Sequence, residues 1–371
     1  MRSLPIAGVT GLLCVSVLAG CGGGSGSGDT GALTVTSTDT ACQVSKTDLP
    51  AGKNTFKLVN NGSKVTEVYF YAPDGKIISE KENIGPGTNY EITVSLPAGD
   101  QQIVCKPGMV GDGIKQDIKV SGEVGELDPR LAKAVADYRT YIDQQIADTV
   151  DKTGQFVAKV KAGDVEGAKE LYAPSRFGWE SVEPVAESFG DLDPKIDARE
   201  ADLTDEEREN WTGWHRIEKA LWVEKSTKGL DGIADQLMTD LKDLQDRVHT
   251  VDITPASMAN GAKELLDEVA TGKITGEEEA FSHTDLVDFK ANVDGAFKVY
   301  ELLKPVVQEK DAALAASLDE AFTDVFDALK KYEKDGSYVS YDTVEEGERK
   351  QLTDVVNALG EPLSKLAAVA G

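Results

Sequence analysis

The sequence predicts a two-domain protein, an N-terminal antiparallel β-sandwich followed by an all-α helical bundle. Two textures carry that expectation. Across residues 33–121, short alternating segments are separated by Gly/Pro/Asn turns and show no helical period. Across residues 131–371, apolar side chains recur at helical spacing and Ala, Leu, Val, Glu and Lys dominate. Residues 122–130, with Gly122, Gly125 and Pro129, read as the linker between them. A chain of 371 residues is long enough for two such units.

The first twenty residues read as a lipoprotein signal peptide. Arg2 gives a positive start, and residues 6–19 are apolar or small but too few to span a bilayer, which takes about 20. They end in Leu18-Ala19-Gly20-Cys21, similar to a bacterial lipobox, which makes Cys21 the acylated first residue of the mature chain. Residues 21–32, rich in Gly and Ser, then form a flexible tether from a membrane surface.

Leu33-Thr34-Val35-Thr36 alternates, as does Thr55-Phe56-Lys57-Leu58-Val59 before the turn Asn60-Asn61-Gly62. Val68-Tyr69-Phe70-Tyr71 runs into Pro73-Asp74-Gly75. Residues 90–96 precede Pro97-Ala98-Gly99, and residues 102–105 and 114–120 complete the set. In the second domain Leu131, Val135, Tyr138 and Ile142 share a face, as do Ile233, Leu237, Leu241 and Leu244, and Leu286, Phe289, Val293, Phe297 and Tyr300. Gly163, Pro174, Pro194, Gly229, Pro255, Gly272, Gly336 and Pro362 divide the helices.

Acidic residues outnumber basic ones 65 to 39, a formal charge of −26. That excludes nucleic acid as a partner and suits a body that tolerates cations. With Cys14 lost in the signal and Cys21 acylated, Cys42 and Cys105 remain, outside the cytosol. A disulfide is their default; metal ligation with Glu67 and Met109 is the alternative, as Cys105-Lys106-Pro107-Gly108-Met109 is a loop of soft donors. The three histidines are His215, His249 and His283, none in the β half, so a two-His blue-copper site is excluded there.

Thr204-Asp205-Glu206-Glu207 is a capping box, and Trp211, His215, Glu218 and Trp222 then share one face of the helix expected to follow. An imidazole and a carboxylate buried one turn apart need partners, and a hard metal ion supplies one; a satisfied His–Glu hydrogen bond supplies another. Glu180 and Glu183, expected at i, i+3 of one helix, Asp197, and Glu277-Glu278-Glu279 lie in apolar company. Carboxylates with one imidazole suit Fe(II), Fe(III), Mn or Zn. H-E-x-x-H, G-x-S-x-G, Walker and Rossmann patterns are missing.

Long ordered segments then carry a resemblance. Tyr172-Ala173-Pro174-Ser175-Arg176, Glu183-Pro184-Val185-Ala186-Glu187, Phe189-Gly190-Asp191-Leu192-Asp193, Ile196-Asp197-Ala198-Arg199-Glu200, Gly213-Trp214-His215-Arg216-Ile217-Glu218 and Ser282-His283-Thr284-Asp285-Leu286 closely resemble the EfeO family of iron-uptake components. That family couples a cupredoxin-like domain to an imelysin (peptidase M75-like) helical domain. The resemblance implies capture of iron, Fe2+ or Fe3+, and delivery to an iron permease of the inner membrane, alongside a secreted haem peroxidase. It implies metal ligation by His215, Glu218, Glu180, Glu183, Asp197 and Glu278, and by Cys42, Glu67 and Cys105 for a second metal, copper or iron, in the β domain. A metal-dependent enzyme, ferroxidase or M75-type metallopeptidase, is the alternative. The lipobox, where many relatives carry a cleaved soluble signal, implies a protein anchored by lipid to the outer face of the cytoplasmic membrane.

Overall fold

The computed structural model describes residues 33–370; Cys21, the signal peptide and the tether lie outside them. The N-terminal half is a sandwich of two sheets. One has the order β2 (Cys42–Val44), β1 (Leu33–Ser37), β4 (Gly52–Asn60), β7 (Asn89–Leu96). The other runs β3 (Asp48–Pro50), β9 (Ile114–Ser121), β8 (Gly99–Pro107), β5 (Thr66–Tyr71), β6 (Ile77–Ile84). Period-two alternation builds the core: Phe56 and Leu58 of β4 point inward while Lys53 and Lys57 point out. Phe56 meets Phe70 of the facing sheet with ring centroids 4.9 Å apart.

Two expectations change here. The sandwich is mixed rather than purely antiparallel, because β1 pairs parallel with β4 and β3 parallel with β9. The chain crosses to the second sheet for β3 and back, so β4 returns in the direction of β1. Cys42 and Cys105 form a disulfide that ties β2 of one sheet to β8 of the other. Their sulfurs are bonded to each other, so neither is available as a thiolate, and the second-metal alternative loses both of its thiolate donors. Glu67 instead accepts a hydrogen bond from Tyr69 (2.9 Å), and Met109 is exposed in the loop after β8.

The helical half opens with α1 (Pro129–Lys161), capped by Asp128, with Pro129 in the first turn and Lys159 and Lys161 in the last. There follow α2 (Val165–Glu180), α3 (Glu183–Ala186), α4 (Asp193–Ile196), α5 (Asp205–Arg208) and α6 (Gly213–Lys219). A π-helical turn, Ala220–Glu224, leads to α7 (Asp231–Arg247), then α8 (Pro255–Thr271), α9 (Asp285–Lys310) and α10 (Ala312–Lys330). A small hairpin of β10 (Glu333–Lys334) and β11 (Ser337–Tyr338), α11 (Glu346–Leu363) and α12 (Leu366–Ala370) close the chain. Pro174 and Pro362 lie inside α2 and α11 rather than between helices. Burial of Tyr172, Ala173 and Trp179 holds α2 together despite the hydrogen bond Pro174 cannot donate.

The two halves pack through α8 against β6 and β7. Asn260 donates to Ser79 Oγ (3.1 Å) and Thr93 O (2.8 Å), and Lys81 pairs with Asp267 at 2.8 Å. This explains why β6 escapes a reading by alternation: its polar centre faces a polar seam. Glu80, Glu187 and Glu264 crowd the seam; burial pushes all three carboxyls well above the usual range, helped by repulsion from Glu82 and Glu67 on Glu80 and from Glu80 on the other two.

Candidate metal centre

Short connections, rather than long helices, place the charged side chains. The capping box at Thr204 caps α5, not the histidine helix. The chain turns again at Gly213 (φ +85°) before α6. Trp211 therefore precedes α6 and Trp222 lies in the π turn, so the expected four-residue face reduces to His215 and Glu218. A side chain at Gly213 would put its Cβ 2.3 Å from Ile196 O. The missing Cβ thus lets α6 close on the end of α4, which carries Asp197.

Glu180 and Glu183 do not share a helix either. Pro184 has no N–H to offer the Glu180 carbonyl, so α2 ends at Glu180 and α3 begins at Glu183. The freed carbonyl accepts from Asn292 Nδ2 of α9 instead, at 2.8 Å. Gly295, one turn further on α9, makes this approach possible; a Cβ there would lie 2.2 Å from Ser181 O.

The six expected ligands are all buried, within the bundle. His215 Nδ1 contacts Glu218 Oε2 at 3.1 Å. Its Nε2 lies 3.4 Å from Asp197 Oδ1 and 3.6 Å from Glu278 Oε1, with no hydrogen-bond partner among the described residues. Asp197, His215 and Glu278 each offer one donor atom within 4.8 Å of the others. Glu180, Glu183 and Asp197 form a second such triad sharing Asp197. Glu180 and Glu183 thus stand behind Asp197, with Lys273 bonded to Glu180 and 3.2 Å from Glu183. Glu277 is exposed, whereas Glu278 and Glu279 are buried.

Glu218 is a hub. Its Oε1 accepts from the N–H groups of Phe281 (3.0 Å) and Ser282 (2.7 Å), and its Oε2 fixes the imidazole. Burial pushes its carboxyl up, but His215 and those two N–H groups win and hold it ionised below the usual range. Burial and Arg176 push His215 down, yet Glu218, Glu278 and Asp197 hold the imidazolium well above its ordinary range. For Glu278, the upward push of burial loses to Lys273, His215 and Arg199. Glu279, buried and repelled by Glu218, is pushed up to about 8.

Arg176 was not among the expected ligands, but it sits at the centre. Its Nη1 bonds Asp197, its Nη2 bonds Glu180 and lies 3.3 Å from Glu278, and its Nε lies 2.8 Å from Glu279. The Arg176-x-x-x-Glu180 spacing was the available signal. Tyr172, whose hydroxyl is 3.4 Å from His215 Nδ1 and 3.3 Å from Glu279, and the α9 residues Asp285, Asp288 and Asn292 also line the centre. A cavity of about 320 Å³, lined by Arg199, Arg208, Glu277, Glu278 and Phe281 among others, leads to His215 and Glu218.

Comparison with known proteins follows the same division. The family model for imelysin (peptidase M75) matches residues 134–366, and that for the cupredoxin-like domain matches residues 11–117. An Efem/EfeO family lipoprotein of Staphylococcus haemolyticus (strain JCSC1435) is 48% identical over 263 residues, covering 70% of this chain and 91% of that one. The iron uptake system component EfeO of Escherichia coli (strain K12) is 38% identical over 344 residues, 91% of each chain. A crystal structure of an iron-regulated protein A precursor from Parabacteroides distasonis ATCC 8503 superposes with a TM-score of 0.52. It covers 68% of this chain and 99% of that one at 14% identity, a likeness of fold alone. The chain belongs to the imelysin family, in the EfeO arrangement with a cupredoxin-like domain in front.

Proposed function

We propose that the chain is an extracytoplasmic iron-binding protein that captures iron and hands it to a ferrous-iron permease. One observation carries this reading: a fully buried imidazole Nε2 that makes no aligned hydrogen bond among the described residues and faces two carboxylate oxygens at 3.4 and 3.6 Å. The imidazolium proton there is held only by those two ion pairs, and a cation held by Asp197, His215 and Glu278 takes its place. Hard oxygens with one nitrogen suit iron in either oxidation state. The names of the Escherichia coli and Staphylococcus relatives point to the same cargo and to a lipoprotein.

In this reading Asp197, His215 and Glu278 hold the ion, and Glu218 orients the ring from its far side. Glu180 and Glu183 supply the negative field behind Asp197. The centre binds and releases its cargo; the chain acts as a carrier, not as an enzyme. Acylated Cys21 anchors it to the outer face of the cytoplasmic membrane, beside the permease and a secreted haem peroxidase of the same system. The cupredoxin-like domain, closed by its disulfide, serves as a packed platform against α8.

Thermal denaturation with and without iron tests this. An ion that binds the native state alone, present at 100 times its Kd, adds about 2.7 kcal/mol of stability. The wild-type chain is expected to show that upward shift and the His215→Ala/Glu218→Ala variant to lose it. An equal shift in the variant would place the iron elsewhere.

A further inference from the structure

We propose that Arg176 is the resident counter-cation of the metal centre, displaced by the incoming ion onto Asp288. The inference rests on the reading of Asp197, His215 and Glu278 as ligands and concerns how the centre is kept before and after loading.

The two oxygens nearest His215 Nε2 are already in use. Asp197 Oδ1 is bonded to Arg176 Nη1, and Glu278 Oε1 lies 3.3 Å from Arg176 Nη2. A divalent ion drawing on those same oxygens would sit beside a guanidinium that cannot lose its charge. Each carboxylate has lone pairs enough for both, but two positive charges side by side in a buried site repel, and the guanidinium is the one that can shift. Arg176 is fully buried on α2, with Trp214 against its guanidinium at 5.3 Å, and has no route to solvent. Its new acceptors must therefore lie inside the bundle.

The structure holds such acceptors on one face of α9. Asp288 is completely buried; its carboxyl pairs with that of Glu279, and among the described residues neither of its oxygens accepts from an N–H or hydroxyl group. A buried carboxyl paired only with a second carboxyl is short of a cation. Asp288 Oδ1 lies 3.8 Å from Arg176 Nε, too far for a hydrogen bond and close enough to become one with a small shift. Asn292 Oδ1, one turn on, is also buried and unpartnered. Arg176 Nε itself is buried without an aligned acceptor: Glu279 stands 2.8 Å away but off its N–H direction. The Nε end of the guanidinium is thus paired with Glu279 but poorly aligned, with Asp288 next to it. Lys273, bonded to Glu180 and 3.2 Å from Glu183, stays with those two carboxylates, so the movement is confined to Arg176.

With no ion bound, Arg176 holds the carboxylates of three separate segments together; with an ion bound, it bridges α2 to α9. Removing it therefore loosens the empty protein and strengthens ion binding, the opposite of what losing a ligand does.

Titration calorimetry of Mn(II) into the mature chain, together with melting of the ion-free chain, tests this. Arg176→Gln is expected to lower the ion-free melting temperature and to tighten Mn(II) binding by about tenfold or more. Asp288→Asn is expected to weaken Mn(II) binding several-fold when Arg176 is present and to have no effect in the Arg176→Gln background. Weaker or unchanged binding in Arg176→Gln overturns the proposal. An equal loss for Asp288→Asn in both backgrounds also overturns it, because Asp288 would then be a ligand. If Arg176→Gln does not fold, Arg176→Met, which also removes the charge, takes its place in the cycle and is expected to show the same signs. His215→Ala separates the two levels: if it binds Mn(II) like the wild type, the ligand reading itself fails. If it loses binding while Arg176→Gln gains none, only the counter-cation proposal fails.

Discussion

Gly213→Ala is expected to dismantle the centre without touching a ligand. Its Cβ would lie 2.3 Å from Ile196 O, 2.7 Å from Ile196 C and 2.9 Å from Lys195 O, all backbone atoms that cannot rotate away. A relaxed C···O approach is about 3.3–3.6 Å, so α6 and the end of α4 must separate by about 1 Å. Overpacking of this kind costs about 1–3 kcal/mol, and a non-glycine residue held at φ +85° adds about 1 kcal/mol. At about 2–4 °C per kcal/mol, a loss of about 3 kcal/mol lowers the melting temperature by about 10 °C. The same 1 Å carries His215 away from Asp197. Metal ligation tolerates about 0.2 Å, so iron binding should fall by more than the stability loss alone would cause. Differential scanning calorimetry with and without iron reads both effects. Gly232→Ala, whose Cβ would meet nothing within 4 Å, is the control and should leave both unchanged or slightly improved. A Gly213→Ala chain that melts and binds iron like the wild type would show that the α4–α6 approach does not build the centre.

Glu218→Gln keeps the shape but loses the charge that receives two backbone N–H groups and orients His215; iron affinity should fall about 10–100-fold, as for other groups that orient a metal ligand. Calorimetric titration checks it. The seam carboxyls Glu80, Glu187 and Glu264 are raised when folded, so the folded chain holds more protons than the unfolded one above about pH 4. Its stability must then fall as pH rises, and the ion-free melting temperature should be lower at pH 8 than at pH 5. Asp193, pushed to about 7 by burial and Asp197, adds to that slope. Removing the Cys42–Cys105 bridge, which closes a loop of 63 residues, should cost the β domain about 4 kcal/mol, and the native chain should show no free thiol at these positions.

Much of this was legible in the sequence. Alternation revealed the strands whose outer face meets water, such as β4, and helical spacing revealed α1, α7 and α9. β6 stayed hidden because Ser79, Glu80 and Lys81 face another domain, not a solvent layer. His215 and Glu218 were visible as buried polar groups one turn apart. Their helix is shorter than periodicity suggested, because Gly213 starts it afresh. Asp285, Asp288 and Asn292 were overshadowed by the apolar stripe beside them on a helix buried on several sides. The role of Arg176 depends on where four separate segments meet, and no local pattern encodes that.

Anomalous diffraction from iron-loaded crystals addresses the centre most directly. The ion is expected bonded to His215 Nε2 and to oxygens of Asp197 and Glu278, at about 2.0–2.2 Å. An iron peak away from that imidazole, for instance among Glu183, Glu187 and Glu268, would contradict the assignment of the cargo site.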